Sequence, residues 1–118
     1  MPGGFHNQAR MTISSSGTGT FTLSAAVSGF NTFAQAGVIS GEVVPYGAID
    51  TVTNLSEKGW GLYTSSATQT LTRNVFIATG GGTTPANFSS SGTQVFIDPS
   101  VADLVQLSLT AQANLGGL

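Results

Sequence analysis

The residues able to do chemistry are few and scattered. The 118 residues include one histidine, five carboxylates, three cations and no cysteine. His6 lies among glycine, asparagine and glutamine, with no second metal-ligand type at the next helical turn. A metal site needs several such ligands, and a catalytic triad needs a base oriented by a third group. His6 therefore reads as an exposed histidine. The serines are many, but none stands in the Gly-x-Ser-x-Gly pattern of a nucleophile elbow. Glu42, Asp50, Glu57, Asp98 and Asp103 show no spacing that pairs them as acid and base. A solvated surface position is the expectation for each. Gly80, Gly81 and Gly82 make a Gly-rich stretch, but it lacks the lysine and following helix of a phosphate loop. The expectation is a protein that is not an enzyme, with no catalytic residue, no metal site and no cofactor.

Arg73 and the large aromatics remain. Arg73 interrupts the apolar face of an otherwise good strand, formed by Leu71, Val75 and Ile77. An unpaired charge there would be costly, so Arg73 is expected to be a structural ion pair or to bind backbone carbonyls. Trp60, Tyr63 and Tyr46 have two readings. Trp60 and Tyr63 could stack on a glycan, with Tyr46 beside them, or all three could anchor a core or an interface.

The elements that must position these residues follow a period of two. Residues 19–24 alternate, with Phe21 and Leu23 on one face. Residues 70–78, 93–98, 43–49, 60–64 and 10–14 read as further strands. Pro45 lacks a donor, which argues for an edge or a bulge in its strand. Gly59 and Gly61 flank Trp60 as at a bulge or a close backbone approach. Residues 29–37 read either as a strand turning a corner or as one helical turn. Clusters of Gly and Ser separate the strands, and residues 65–69 look like a hairpin loop. The fold class is all-β: a single small β-sandwich or β-barrel, with Phe21, Leu23, Leu71, Val75, Ile77, Val95 and Ile97 in one core.

Composition narrows the function classes. Charged residues are 7% of the chain, against roughly 25% in an ordinary soluble domain. A net charge of −2 gives no basic patch for nucleic acid or for a membrane surface. Nor is the chain disorder-like, since 40% of it is hydrophobic and its mean hydropathy is +0.21. The start of the chain has no apolar core like that of a signal peptide, and no run approaches the ~18 apolar residues of a membrane span. A surface so poor in charge is weakly protected against self-association, which suits a subunit of an assembly.

The chain divides into an N-terminal arm over residues 1–9, a β domain over residues 10–98, and a C-terminal segment over residues 99–118. Ser100 and Asp103 have capping-box spacing. Residues 100–109 can be read as a short helix or a strand. Leu104, Leu107, Leu109, Leu115 and Leu118 are candidate interface residues, for oligomerisation or for docking.

Several segments in order resemble a small β module of tailed-bacteriophage and gene-transfer-agent virion structural proteins. They are Gly17-Thr18-Gly19-Thr20-Phe21-Thr22-Leu23, Gly29-Phe30-Asn31-Thr32-Phe33-Ala34, and Val44 to Tyr46. Glu57-Lys58-Gly59-Trp60-Gly61-Leu62-Tyr63-Thr64, Leu71-Thr72-Arg73 and Phe88-Ser89-Ser90-Ser91-Gly92-Thr93-Gln94-Val95-Phe96 follow. The likeness covers roughly residues 10–98. The chain departs from the module at Ser56, where a Trp is usual, at Trp60, and in a longer loop from Ala48 to Leu55. The resemblance implies a bacteriophage virion structural protein without catalysis. It would serve as a capsid decoration (cement) or a head spike or fibre base subunit, with tail-fibre, tail-associated and carbohydrate-binding modules as alternatives. The implied location is the virion, and the implied partners are other capsid, spike or fibre proteins and further copies of the chain.

Overall fold

The computed structural model describes residues 8–98. They form an all-β domain of seven strands with no helix: β1 (Arg10–Ile13), β2 (Phe21–Ala26), β3 (Val43–Asp50), β4 (Leu55–Ser65), β5 (Gln69–Leu71), β6 (Asn74–Ala78) and β7 (Thr93–Ile97). Six of them close an antiparallel barrel in the order β3-β7-β1-β2-β5-β4, with β4 returning to β3. The seventh, β6, lies outside the closure and pairs with β4 alone. The outcome is thus the barrel rather than the sandwich.

Strand β4 makes this arrangement possible. It pairs along its length with β3, from Asp50↔Leu55 to Val43↔Leu62. On its other side, Tyr63, Thr64 and Ser65 pair with β5, while Glu57 to Trp60 pair with β6. The sheet splits between them, at Thr72 and Arg73. There Thr72 bonds to Leu62 twice: its N–H donates to the Leu62 carbonyl at 3.1 Å, and its hydroxyl accepts the Leu62 N–H at 2.8 Å. The expected single strand over residues 70–78 is therefore two strands, and only the first of them faces the core.

The barrel interior follows the period of two. Phe21, Leu23, Leu71 and Val95 are buried as expected, joined by Met11, Ile13, Phe33, Val44, Tyr46, Tyr63 and Phe88. Val75 and Ile97 are half-buried. Ile77 is a correction: it is 51% exposed, because a register shift between Lys58 and Gly59 sets it opposite outward-facing Lys58, whereas Val75 stands opposite inward-facing Gly59. Inside β4 the inward positions are Glu57, Gly59, Gly61 and Tyr63. The two glycines answer to close backbone approach. A Cβ at Gly59 would run into the Asn74 carbonyl, and one at Gly61 into the Thr72 carbonyl and the Leu71 side chain. The ladder to β6 also shifts register between Lys58 and Gly59, so a bulge is present as well.

Two local expectations change. β3 is not an edge strand, since β4 and β7 flank it. Pro45 is tolerated because it sits at the end of the β7 ladder, where its carbonyl accepts the Asp98 N–H at 3.0 Å and no donor is required. The longer loop expected from Ala48 to Leu55 is half strand, and the turn itself is residues 51–54. Within residues 29–37, Asn31 bridges to Ala9 and residues 32–37 form a single turn, too short for a helix, with both ends capped. Thr32 and Gln35 exchange N–H to side-chain bonds of 2.9 and 3.0 Å, as in a capping box. Gly37, with φ of 98°, closes it: its N–H reaches the Ala34 carbonyl, and the Val38 N–H reaches that of Phe33. The proposed helix or strand over residues 100–109 lies outside the described residues.

Replacing Gly59 with Ala should loosen the β4–β6 ladder and cost about 1–3 kcal/mol, the usual range for overpacking. Gly82→Ala, where a Cβ meets nothing within 4 Å, should be neutral by comparison. Urea denaturation of the two variants checks this; equal midpoints would contradict the close approach.

Candidate functional site

The strongest concentration of charge in the barrel is built around Arg73. Because β5 ends at Leu71 and β6 begins at Asn74, Arg73 is released from the ladder and turns inward. Its side chain is 2% exposed and that of its partner Glu57 is 0% exposed. All five guanidinium N–H groups have acceptors. Nε donates to Glu57 Oε2 at 2.8 Å, and Nη2 donates to Glu57 Oε1 and to the Ala86 carbonyl at 2.7 Å. Nη1 donates to the carbonyls of Gly17 and Gly19 at 3.0 and 3.1 Å. The guanidinium lies 4.5 Å from the Phe21 ring centre and 5.1 Å from that of Phe88, in cation–π contact with both.

Glu57 is equally saturated. Besides Arg73, it accepts the Tyr46 hydroxyl at 2.7 Å and the Ala86 N–H at 2.9 Å. Each carboxylate oxygen thus takes two donors, the capacity of an ionised carboxyl group. Burial, followed by the hydrogen bond to Glu57 and the charge of that carboxylate, pushes the Tyr46 phenol far above the ordinary tyrosine range. It stays protonated and acts as a donor. With every donor and acceptor engaged, the cluster offers no free group to a substrate. It joins β4, β3, the loop at residues 17–19 and the segment around Ala86.

A second buried carboxylate works without a cation. Asp50, 2% exposed, ends β3 and accepts five hydrogen bonds. Val52 N–H and the Ser89 hydroxyl reach Oδ1 at 2.9 and 3.0 Å, and Thr53 N–H reaches it at 3.4 Å. The Thr53 hydroxyl and Ser89 N–H each reach Oδ2 at 2.7 Å. Burial opposes ionisation here. The bonds from Ser89, Thr53 and Val52 outweigh it and hold the Asp50 carboxyl well below its ordinary value. The group pins the 51–54 turn against the turn that begins at Ser89. Gly92 closes the contact, since a Cβ there would fall 2.6 Å from Asp50 Oδ1.

Asp50 and Glu57 are therefore corrections to the surface expectation, and Arg73 is the ion pair that the sequence implied. The glycan-stacking reading fails for Tyr63, which is 0% exposed and bonds through its hydroxyl to Gln69 at 2.8 Å. Tyr46 is likewise in the core. Trp60 sits on the outer face, half-buried, with its ring centre 4.4 Å from that of Phe76 in an edge contact. No shared aromatic platform exists among them. Lys58 pairs with Asp98 at 2.7 Å on the outer face. Arg10 lies over Phe96 at 4.4 Å and Phe30 at 5.2 Å, and bonds to Gln94 at 2.8 Å. His6, Asp103, Leu104, Leu107, Leu109, Leu115 and Leu118 lie outside the described residues.

The outer face also carries a groove of about 350 Å³ running from β7 across β3 and β4 to β6. Phe96 and Ile77 form its sides, with Gly47 and Ile49 between them and the Lys58–Asp98 pair at its margin. Phe96 lies over Gly47, where a Cβ would meet the ring at 2.6 Å. No group of three or more metal-ligating side chains occurs among the described residues. Compared with protein-family models, curated proteins and solved structures, the chain shows no significant match.

Arg73→Met should cost about 3–5 kcal/mol, because it leaves Glu57 charged, buried and without its cation. Adding Glu57→Gln to that variant should recover part of the loss. Denaturant titration of the two singles and the double checks this, and additive losses would contradict the pairing. Asp50 makes a pH prediction. Its pKa is lowered on folding, so its contribution is full above the ordinary value of 3.8 and is lost as pH falls toward the folded value. The stability gap between wild type and Asp50→Asn should therefore narrow as pH drops below about 4. A gap that stays constant down to acid pH would contradict it.

Proposed function

We propose that the chain is a non-enzymatic bacteriophage virion structural protein, a capsid-attached decoration (cement) or a head spike or fibre base subunit. It forms a homo-oligomer and joins other virion proteins. The observation that carries the non-enzymatic part is the saturation of the Arg73–Glu57–Tyr46 cluster. Catalytic groups need an unfilled valence facing a substrate. Here the buried charges hold loops to strands instead. The resemblance over residues 10–98 supplies the virion setting. The low surface charge and the exposed apolar side chains of Ile39, Val52, Leu62 and Ile77 suit a piece held by neighbours. A tail-fibre or tail-associated position is the second reading within the same setting. The carbohydrate-binding reading loses one of its two aromatic planes with Tyr63 in the core.

Antibody against the chain, applied to purified phage particles whose genome encodes it, tests the proposal by gold labelling in the electron microscope. Label on the head is the expected result. Label on the tail would move the subunit to the tail, and particles free of the protein would overturn the virion role.

A further inference from the structure

Among the described residues, the barrel closure leaves one of the seven strands paired on one side only, and that strand is β6. Its free edge has no proline and no charged side chain, the usual protections of an exposed edge. The Ala78 N–H is met by the Gly82 carbonyl at 2.7 Å, but no strand covers Asn74 to Ile77 among the described residues. On the outer face β6 presents Ile77, 51% exposed, which borders the groove on the β4 side of the strand. A free edge beside an exposed apolar side chain fits an added strand with one apolar face.

The sequence beyond Asp98 contains a segment with such a pattern. From residue 105 to residue 115 it alternates without a break. Val105, Leu107, Leu109, Ala111, Ala113 and Leu115 are apolar, and the residues between them are Gln106, Ser108, Thr110, Gln112 and Asn114. Alternation over this length is a strand pattern, and the segment carries no charge.

We propose that residues 105–115 of one copy add as an antiparallel strand to the free edge of β6 in a second copy, with their apolar face on the outer side of the sheet beside Ile77. This rests on the homo-oligomer part of the function proposed above and on nothing else in it. Reach and pairing direction together favour a second copy. Across the sheet Asp98 is level with Pro45, Trp60 and Asn74, whereas Ala78 is level with Glu57, Ala48 and Val95. An antiparallel strand on β6 must start at the Ala78 level. From Asp98 that start is about four strand spacings sideways and three residues back along the strand, roughly 22 Å in a straight line. The seven steps from Asp98 to Val105 span about 25 Å at full extension. Passing over the side chains of the curved outer face and reversing direction uses more than the difference. A parallel addition within one chain would be shorter, but parallel pairing is slightly less stable per residue.

The absence of cysteine makes the test direct. Full-length Ile77→Cys chain is co-expressed with full-length chain carrying a single Cys at Val105, Leu107, Leu109 or Ala111, and oxidised. The four positions sample the register that disulfide geometry requires. The expected result is a shift from one-chain to two-chain mass on a non-reducing gel, containing one chain of each kind. It should be absent when Ile39→Cys replaces Ile77→Cys. Single-chain disulfides in a dilute chain carrying both substitutions, without two-chain product, would overturn the assignment to a second copy. No crosslink at any position would overturn the strand addition altogether. Light scattering on the wild type separates the two failures. An oligomer without crosslinks leaves the homo-oligomer standing and removes only this docking surface, and a monomer removes both.

Discussion

The buried contact between Arg73 and Glu57 is the constraint on which the barrel depends. Moving two such charges out of water costs several kcal/mol each, and attraction between them repays that only with good geometry and further hydrogen bonds. Both conditions are met, by the forked contact and by acceptors from Gly17, Gly19 and Ala86. Those three carbonyls belong to loops outside the strands, where the Phe88 N–H also reaches the Gly17 and Ala86 carbonyls at 3.2 and 3.1 Å. The guanidinium takes the place of a strand, and the Gly17↔Phe88 bridge forms beside it. Removing either charge strands the other, so the loops and the pair stand or fall together.

Asp50 does for one pair of turns what Arg73 does for another. It has no cation, and five donors from two turns replace one. Three of the few charged side chains are thus used inside the fold. Lys58 and Asp98 neutralise each other, and Arg10 lies against aromatic rings. The scarcity of charge in the sequence is therefore sharper at the surface than the composition suggests. What faces water is hydroxyl, amide and scattered apolar groups, a surface with little charge repulsion between copies.

The strands were legible because alternation is a local signal. Phe21, Leu23 and Val95 lie inside for the reason their spacing implies. Arg73 was legible as a paired charge because it broke such a pattern. Its partner was not, since Glu57 lies sixteen residues away and only the closure of β4 on the barrel brings it inward. Asp50 carried a readable cue in the hydroxyl and turn residues that follow it, the composition of an Asx turn, but burial of the turn against Ser89 is a tertiary fact. The pairing of Trp60 with Tyr63 as one stacking face was excluded by parity. Residues three apart on a strand point to opposite faces. Ile77 failed because the bulge between Lys58 and Gly59 reversed its parity, setting it opposite outward-facing Lys58 while Val75 stayed opposite inward-facing Gly59.

That break has a second consequence, which links the interior to the outside. A closed barrel has no edges and gives other chains no backbone to pair with. Arg73 must leave the ladder to reach Glu57, so the strand that follows cannot continue the barrel wall. It pairs instead with Glu57 to Trp60 of β4, where Gly59 lets its backbone approach. The buried pair and the unpaired edge of β6, among the described residues, thus flank the same break in the strand. The charge that closes the interior and the backbone left open outside are two sides of one interruption at Thr72 and Arg73.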